Sequence, residues 1–265
     1  MNLPTETDHD VYALEQWAQE ILATFIENTV TANLIHRDFV DMSVEVNDVV
    51  NIQKPTGGGC LVPFDLYAYT SFVIKDADTS EPFSKLAERM LMPASLCIAQ
   101  VVDQDILNQI YKFSIDPDSG VRCLPNLNRD SLREACQILN DNQVPTTDRN
   151  LILGHTSEAR LLKDCKLYAA TEQLGFGAWL DKSIGFIANG ELSFAFHRNA
   201  VVLGTAAVNR APFTPGEKTI AIAHDGIGVQ VTMAYNIKEQ GIQATIEVLG
   251  GVALLDPALI VVFRS

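Results

Sequence analysis

Gly241-Ile-Gln-Ala-Thr-Ile-Glu-Val-Leu-Gly-Gly-Val-Ala-Leu-Leu-Asp-Pro-Ala-Leu-Ile-Val-Val-Phe263 reads as a long β-ribbon at the end of the chain. Ile242, Ala244, Ile246 and Val248 alternate with polar partners at period two, the signature of a strand with one face buried. Gly250-Gly251 predicts a bend, and Asp256-Pro257 predicts a turn into a last strand over Ala258–Phe263. Just upstream, Lys218–Ala223 and Val229–Tyr235 predict a hairpin across Asp225-Gly226, a dipeptide suited to a two-residue turn.

The period changes in the middle of the chain. Phe83, Leu86, Ala87, Met90, Leu91, Ala94, Cys97, Ile98, Val101, Val102, Ile106, Leu107 and Ile110 keep helical spacing to about Phe113, starting from Ser80-Glu81-Pro82. That helix would be on the order of 50 Å long, with a kink or break at Pro93, where a backbone donor is missing. Asn128 caps a shorter helix carrying Leu132, Cys136 and Leu139, Pro145 ends it, a strand follows at Leu151–Leu153, and Thr156 caps another helix. Near the N-terminus, Leu14, Trp17, Ala18, Ile21, Leu22, Phe25 and Ile26 form the apolar stripe of an amphipathic helix over Val11–Asn33 with Asp10 as N-cap. Between the two large helices, Val44, Val46, Val50 and Ile52, then Phe64, Leu66, Ala68, Thr70, Phe72 and Ile74, alternate on either side of Gly57-Gly58-Gly59. This predicts one long hairpin over Val44–Lys75, which must lie on something else to be stable. The order is α+β, without the βαβ alternation of a nucleotide-binding sheet.

Composition narrows the function. The chain has 265 residues, 47% of them hydrophobic and 20% charged, and a formal net charge of -14. This charge disfavours tight, sequence-independent binding of nucleic acid. The apolar runs are interrupted before the roughly 18 residues of a membrane span, and the first ten residues do not form a signal peptide, so synthesis inside the cell is expected. Cys60, Cys97, Cys123, Cys136 and Cys165 lack metal-ligand spacing and read as reduced thiols, with Cys97 and Cys136 as small core residues. His9, His36, His155, His197 and His224 are dispersed, and neither a nucleophile elbow nor a phosphate-binding glycine loop is present. Asp103 and Asp105, and Asp116 and Asp118, read as ordinary turn and helix carboxylates. No catalytic residue, cofactor site or metal site is expected.

Four passages carry a family resemblance: the terminal ribbon; Gly185-Phe-Ile-Ala-Asn-Gly190 with the strand ending His197-Arg-Asn199; Asn142-Gln-Val-Pro-Thr-Thr-Asp-Arg149 before the strand Asn150–Gly154; and Val46-Asn-Asp-Val-Val-Asn-Ile52. In this order they resemble the major capsid proteins of tailed bacteriophages with the HK97 fold. The resemblance implies an N-terminal arm (1–40), an extended hairpin or E-loop (41–78), a peripheral domain with a long spine helix (79–113 and 208–249), and an axial domain (114–207 and 250–265). It further implies hexamers and pentamers of this chain in an icosahedral head enclosing double-stranded DNA, assembled in the host cytoplasm, with scaffolding, portal or decoration proteins as further partners and no membrane. Trp17, Ile21, Phe25, Gly57, Gly58, Gly59, Phe72 and Ile74 are the expected subunit contacts. On that expectation, aspartate at Phe72 and Ile74 would abolish assembly and leave the monomer folded. No position matches the covalent crosslinking chemistry of some relatives. An encapsulin-like compartment with a cargo enzyme is the first alternative, and a soluble enzyme with a dispersed site the second.

Overall fold

The computed structural model of the chain describes residues 6–41, 44–54, 58–75, 83–163, 176–180, 192–206 and 217–264. In chain order the elements are α1 (Glu6–Asn28), α2 (Thr31–Leu34), β1 (His36–Asp41), β2 (Val49–Gln53), β3 (Gly59–Pro63), β4 (Leu66–Lys75), α3 (Phe83–Leu86) and α4 (Met92–Ile115). There follow β5 (Arg122–Pro125), α5 (Arg129–Asp141), β6 (Arg149–Leu153), α6 (His155–Lys163), β7 (Gly177–Leu180), β8 (Leu192–His197), β9 (Val201–Ala206), β10 (Lys218–His224), β11 (Ile227–Asn236), β12 (Gly241–Leu254) and β13 (Ile260–Arg264).

Strand β12 organises the larger sheet. One of its edges pairs antiparallel with β4, from Gly241↔Lys75 to Gly250↔Leu66. Its other edge pairs first with β11 and then, from Leu249 onward, with β9. Strands β10 and β1 extend the sheet beyond β11 and β9. The second sheet has the order β5-β13-β8-β6-β7. The six-stranded sheet thus draws strands from all four of the parts expected from the sequence.

Gly250 and Gly251 do not bend β12, which runs unbroken to Leu254. A Cβ on Gly251 would overlap the Pro63 carbonyl. The glycine is there so that the end of β3 can cross the strand at backbone distance. The Asp225-Gly226 turn forms as expected, with φ of 51° and 75°, the two positive values of a type I′ hairpin.

The long helix is one run built in three parts, α3, a π-helical turn over Ala87–Leu91, and α4. Pro93 sits in the first turn of α4, and the wider turn just before it accommodates the missing N–H and the bulk of the ring. The expected interruption at Pro93 therefore takes the form of a π-bulge. Ala94, Ile98, Val102, Ile106 and Ile110 of α4 are buried in the core cluster that also holds Ala68, Ile74 and Ile246. The helical run Glu88–Ile115 contains an 18-residue window apolar enough, by length and composition, to cross a membrane. Burial of this face in the protein's own core is the reason for that apolarity.

Helix α1 lies in the same core. Leu14, Trp17, Ala18, Ile21, Leu22 and Phe25 are buried there. Asp103 on α4 accepts hydrogen bonds from the backbone N–H groups of Val30 (2.7 Å) and Ala32 (2.9 Å), so a carboxylate from another helix satisfies amides at the start of α2. Asn128 caps α5 as its sequence predicts. Its side chain accepts from Asp130 N–H and Ser131 N–H, and Ser131 Oγ accepts from Asn128 N–H, a reciprocal capping box. Cys136 is buried, whereas Cys97 is exposed. The core face of α4 runs through Ala94, Ile98 and Val102, and this phase leaves residue 97 on the flank.

Substituting Gly251 by alanine is expected to destabilise the protein by at least about 2 kcal/mol, because either β12 or the Pro63 backbone must move. Urea denaturation followed by circular dichroism measures this.

Candidate assembly surfaces

The predicted hairpin is shorter than its sequence pattern. Strand β2 pairs with β3, from Val49↔Pro63 to Gln53↔Gly59, and β4 leaves to join β12. Phe72 and Ile74 therefore do not lie on the hairpin. Ile74 is buried, and Phe72 stacks on Trp17 with ring centroids 6.3 Å apart. Trp17, Ile21 and Phe25 are buried in the protein's own core. Four of these five side chains are therefore enclosed by their own subunit, and Phe72 is half-buried. Gly58 stands in open space near the hairpin tip with φ of 87°, and Gly59 faces the Asn51 side chain. Gly57 lies outside the described residues, as do Ser80-Glu81-Pro82, Cys165 and Gly185–Gly190.

The hairpin has two unlike faces. Ile52, Val62 and Phe64 are buried against Val202, Leu249 and Ala253 of β9 and β12. The opposite face presents Val49 and Leu61, the latter 66% exposed. The inner hairpin face thus packs on the subunit's own sheet, and the outer face is left exposed.

A second apolar surface lies between β4 and α4, where Tyr67, Ala68, Tyr69, Thr70, Cys97, Ile98 and Val101 line an open groove of about 260 Å³. Tyr69 is 66% exposed. Among the described residues β4 pairs with β12 alone. Tyr67 donates to Glu247 Oε1 (2.9 Å), and Gln230 Nε2 donates to Glu247 Oε2 (3.2 Å), so the buried carboxylate behind the groove is satisfied. One helical turn beyond Val101, Asp105 has a buried Oδ2 without a partner among the described residues. Burial pushes its carboxyl above the ordinary range, Asp65 adds to the rise, and Lys112 opposes it. The sequence reading passed over Val49, Leu61, Tyr67, Tyr69 and Val101. Alternation placed Tyr67 and Tyr69 on the outer face of their strand, which was the available signal.

No group of three or more His, Cys, Asp or Glu among the described residues could hold a metal ion. Asp103 holds α2, and Asp116 accepts from Asp118 N–H to cap the short turn Pro117–Ser119.

No protein-family model and no curated protein matches the chain in sequence. Solved structures do match. The chain is similar to the virus-like particle from Pyrococcus furiosus, with TM-score 0.56 and 12% identity over 94% of this chain and 98% of that one. It is similar to the capsid of the cyanophage P-SCSP1u, with TM-score 0.57 and 12% identity over 89% and 88%. It is likewise similar to the SrpI encapsulin from Synechococcus elongatus, with TM-score 0.54 and 12% identity over 88% and 85%. The chain has the HK97-like fold found in these phage capsid and encapsulin structures.

Ile74→Asp is expected to unfold the subunit, since it places an unpaired carboxylate in the core at a cost of several kcal/mol; thermal unfolding of the soluble fraction tests this. Asp105→Asn is expected to raise the urea midpoint at neutral pH. The advantage should vanish as pH falls through the raised Asp105 value, where the wild-type carboxyl is neutral too; denaturation at a series of pH values measures both.

Proposed function

We propose that this chain is the major subunit of a closed icosahedral shell, a tailed-phage type of head in which hexamers and pentamers enclose double-stranded DNA. The observation that carries this reading is the near full-length correspondence with shell subunits, 94% of this chain against 98% of the virus-like particle protein. The net charge of -14 suits a wall that encloses a polyanion without adhering to it.

The two exposed apolar surfaces supply a mode of assembly. The outer hairpin face with Val49 and Leu61 differs from the groove of Tyr67, Tyr69 and Val101, so hairpin-to-groove contact between copies is heterologous and propagates into rings. Repetition of this contact around a ring and between rings lets individually weak interfaces sum to a stable wall. The peripheral and axial divisions expected from the sequence remain part of this proposal, with the groove on the spine helix side.

Electron microscopy and nuclease treatment of particles from the producing host test the reading. Closed shells holding nuclease-protected DNA support it, and closed shells holding a stoichiometric protein cargo instead replace it with an encapsulin. A small oligomer that never closes, at any concentration or ionic strength, overturns both. Leu61→Asp is expected to abolish particles while leaving the thermal transition of the subunit within about 0.5 kcal/mol of wild type, as for other exposed positions. Normal particles from this variant would remove the hairpin from the interface.

A further inference from the structure

Strand β8 belongs to the five-stranded sheet and β9 to the six-stranded sheet, and the chain passes between them in one short turn, Arg198–Ala200. Hydrogen bonds converge on this crossing. The Ala200 carbonyl accepts from Leu255 N–H (2.8 Å) and Asp256 N–H (3.3 Å), which belong to the return passage from β12 to β13, and Arg198 N–H donates to the Asp148 carbonyl (3.1 Å). His197 caps the turn, its Nδ1 accepting from Asn199 N–H at 3.2 Å. A ring nitrogen that accepts carries no proton, so the cap exists with a neutral imidazole.

The surroundings of His197 oppose its charging. The residue is 7% exposed and stands opposite Arg149 in the β6–β8 register. Arg149 is itself buried, and its guanidinium donates to the carbonyls of Pro145 (2.8 Å) and Val144 (2.5 Å). A cavity of about 300 Å³ borders the ring, lined among others by Lys54, Asn142, Asn199 and Asp256. Arg149 and Asp148 thus act on the imidazole, while Lys54 and Asp256 line the cavity beside it.

We infer that the β8–β9 crossing is an acid-released clamp: neutral His197 holds the turn that joins the two sheets, and protonated His197 lets it go. Protonation at Nδ1 sets a donor against the Asn199 N–H and adds a buried positive charge beside Arg149. With the cap lost, the Ala200 carbonyl is no longer held in place for Leu255 and Asp256, and both passages between the sheets loosen together. Burial holds the imidazole below its ordinary titration range, the Asp148 carboxylate opposing this and Arg149 reinforcing it. A histidine depressed in the closed state and ordinary in the open state makes the clamp fully effective above about pH 6.5. The clamp weakens as pH falls from there through the closed-state value.

Hydrogen exchange of the full-length protein, read in peptides covering 198–200 and 255–259 and corrected for the intrinsic pH dependence of exchange, tests the clamp. Between about pH 7.5 and about pH 5 wild-type protection in both peptides is expected to fall several-fold. His197→Asn places a carboxamide oxygen near the Nδ1 position without a titrating group, and should keep its protection across the range. Asp148→Asn removes an anion that favours the imidazolium and should move the loss to lower pH. Residue 148 has φ of 56°, a conformation asparagine tolerates, so this variant decides the matter even where His197→Asn does not fold. The clamp is overturned if wild-type protection stays level, if His197→Asn loses protection in parallel with wild type, or if Asp148→Asn leaves the midpoint in place. The readout is local to the crossing and applies equally to free subunits and particles, so its outcome is independent of the shell reading.

Discussion

Two-sided pairing of β12 is the constraint on which the rest of the subunit depends. Its first ten residues are hydrogen-bonded to β4 on one edge, while the other edge is shared in succession by β11 and β9. A strand of 14 residues spans roughly 45 Å at the usual rise, long enough to bind an early strand, a late hairpin and the crossing to the second sheet into one plane. The helices then take the places this plane leaves them. Helix α4 buries Ile98, Val102, Ile106 and Ile110 in the same core as Ala68 and Ile246, and α1 fills the remainder with Trp17, Ile21 and Phe25.

This arrangement determines what stays outside. Because the inner hairpin face is occupied by Val202, Leu249 and Ala253, the outer face with Val49 and Leu61 is left facing solvent. Because β4 sits at the rim of the sheet, Tyr67 and Tyr69 line a groove together with Cys97 and Val101 of α4. Exposed apolar side chains thus stand on the outer hairpin face and along the β4–α4 groove.

Local features of the fold were legible in the sequence because local chemistry decides them. Asn128 finds its amides within three residues, Asp225-Gly226 needs only positive φ, and Pro93 disturbs its own helix. The hairpin was read too long for an equally physical reason. Val62, Phe64, Leu66, Ala68 and Ile74 are all buried and keep a single parity from β3 into β4. Alternation reports which side of a strand is covered and is silent on what covers it, so the change of partner at Asp65, from β2 to β12, leaves no trace in the pattern. The assembly candidates shifted with it. Phe72 and Ile74 carry the strongest apolar signal on the strand, and the strongest signal marks the core.

The sequence by itself determined the kinds of element, their order, the capping box of α5, the Asp225-Gly226 turn and the apolar stripe of each helix, since these follow from backbone conformation and from periodicities of a few residues. Asp10 and Thr156, expected as caps, lie inside α1 and α6 instead. Tertiary structure alone decided that Lys75 pairs with Gly241, that α1 packs on its own subunit, and that Leu61 faces out where Val62 faces in. Those outcomes depend on surfaces brought together from far apart in the chain, and an amphipathic pattern states that a face must be buried without naming the surface that buries it.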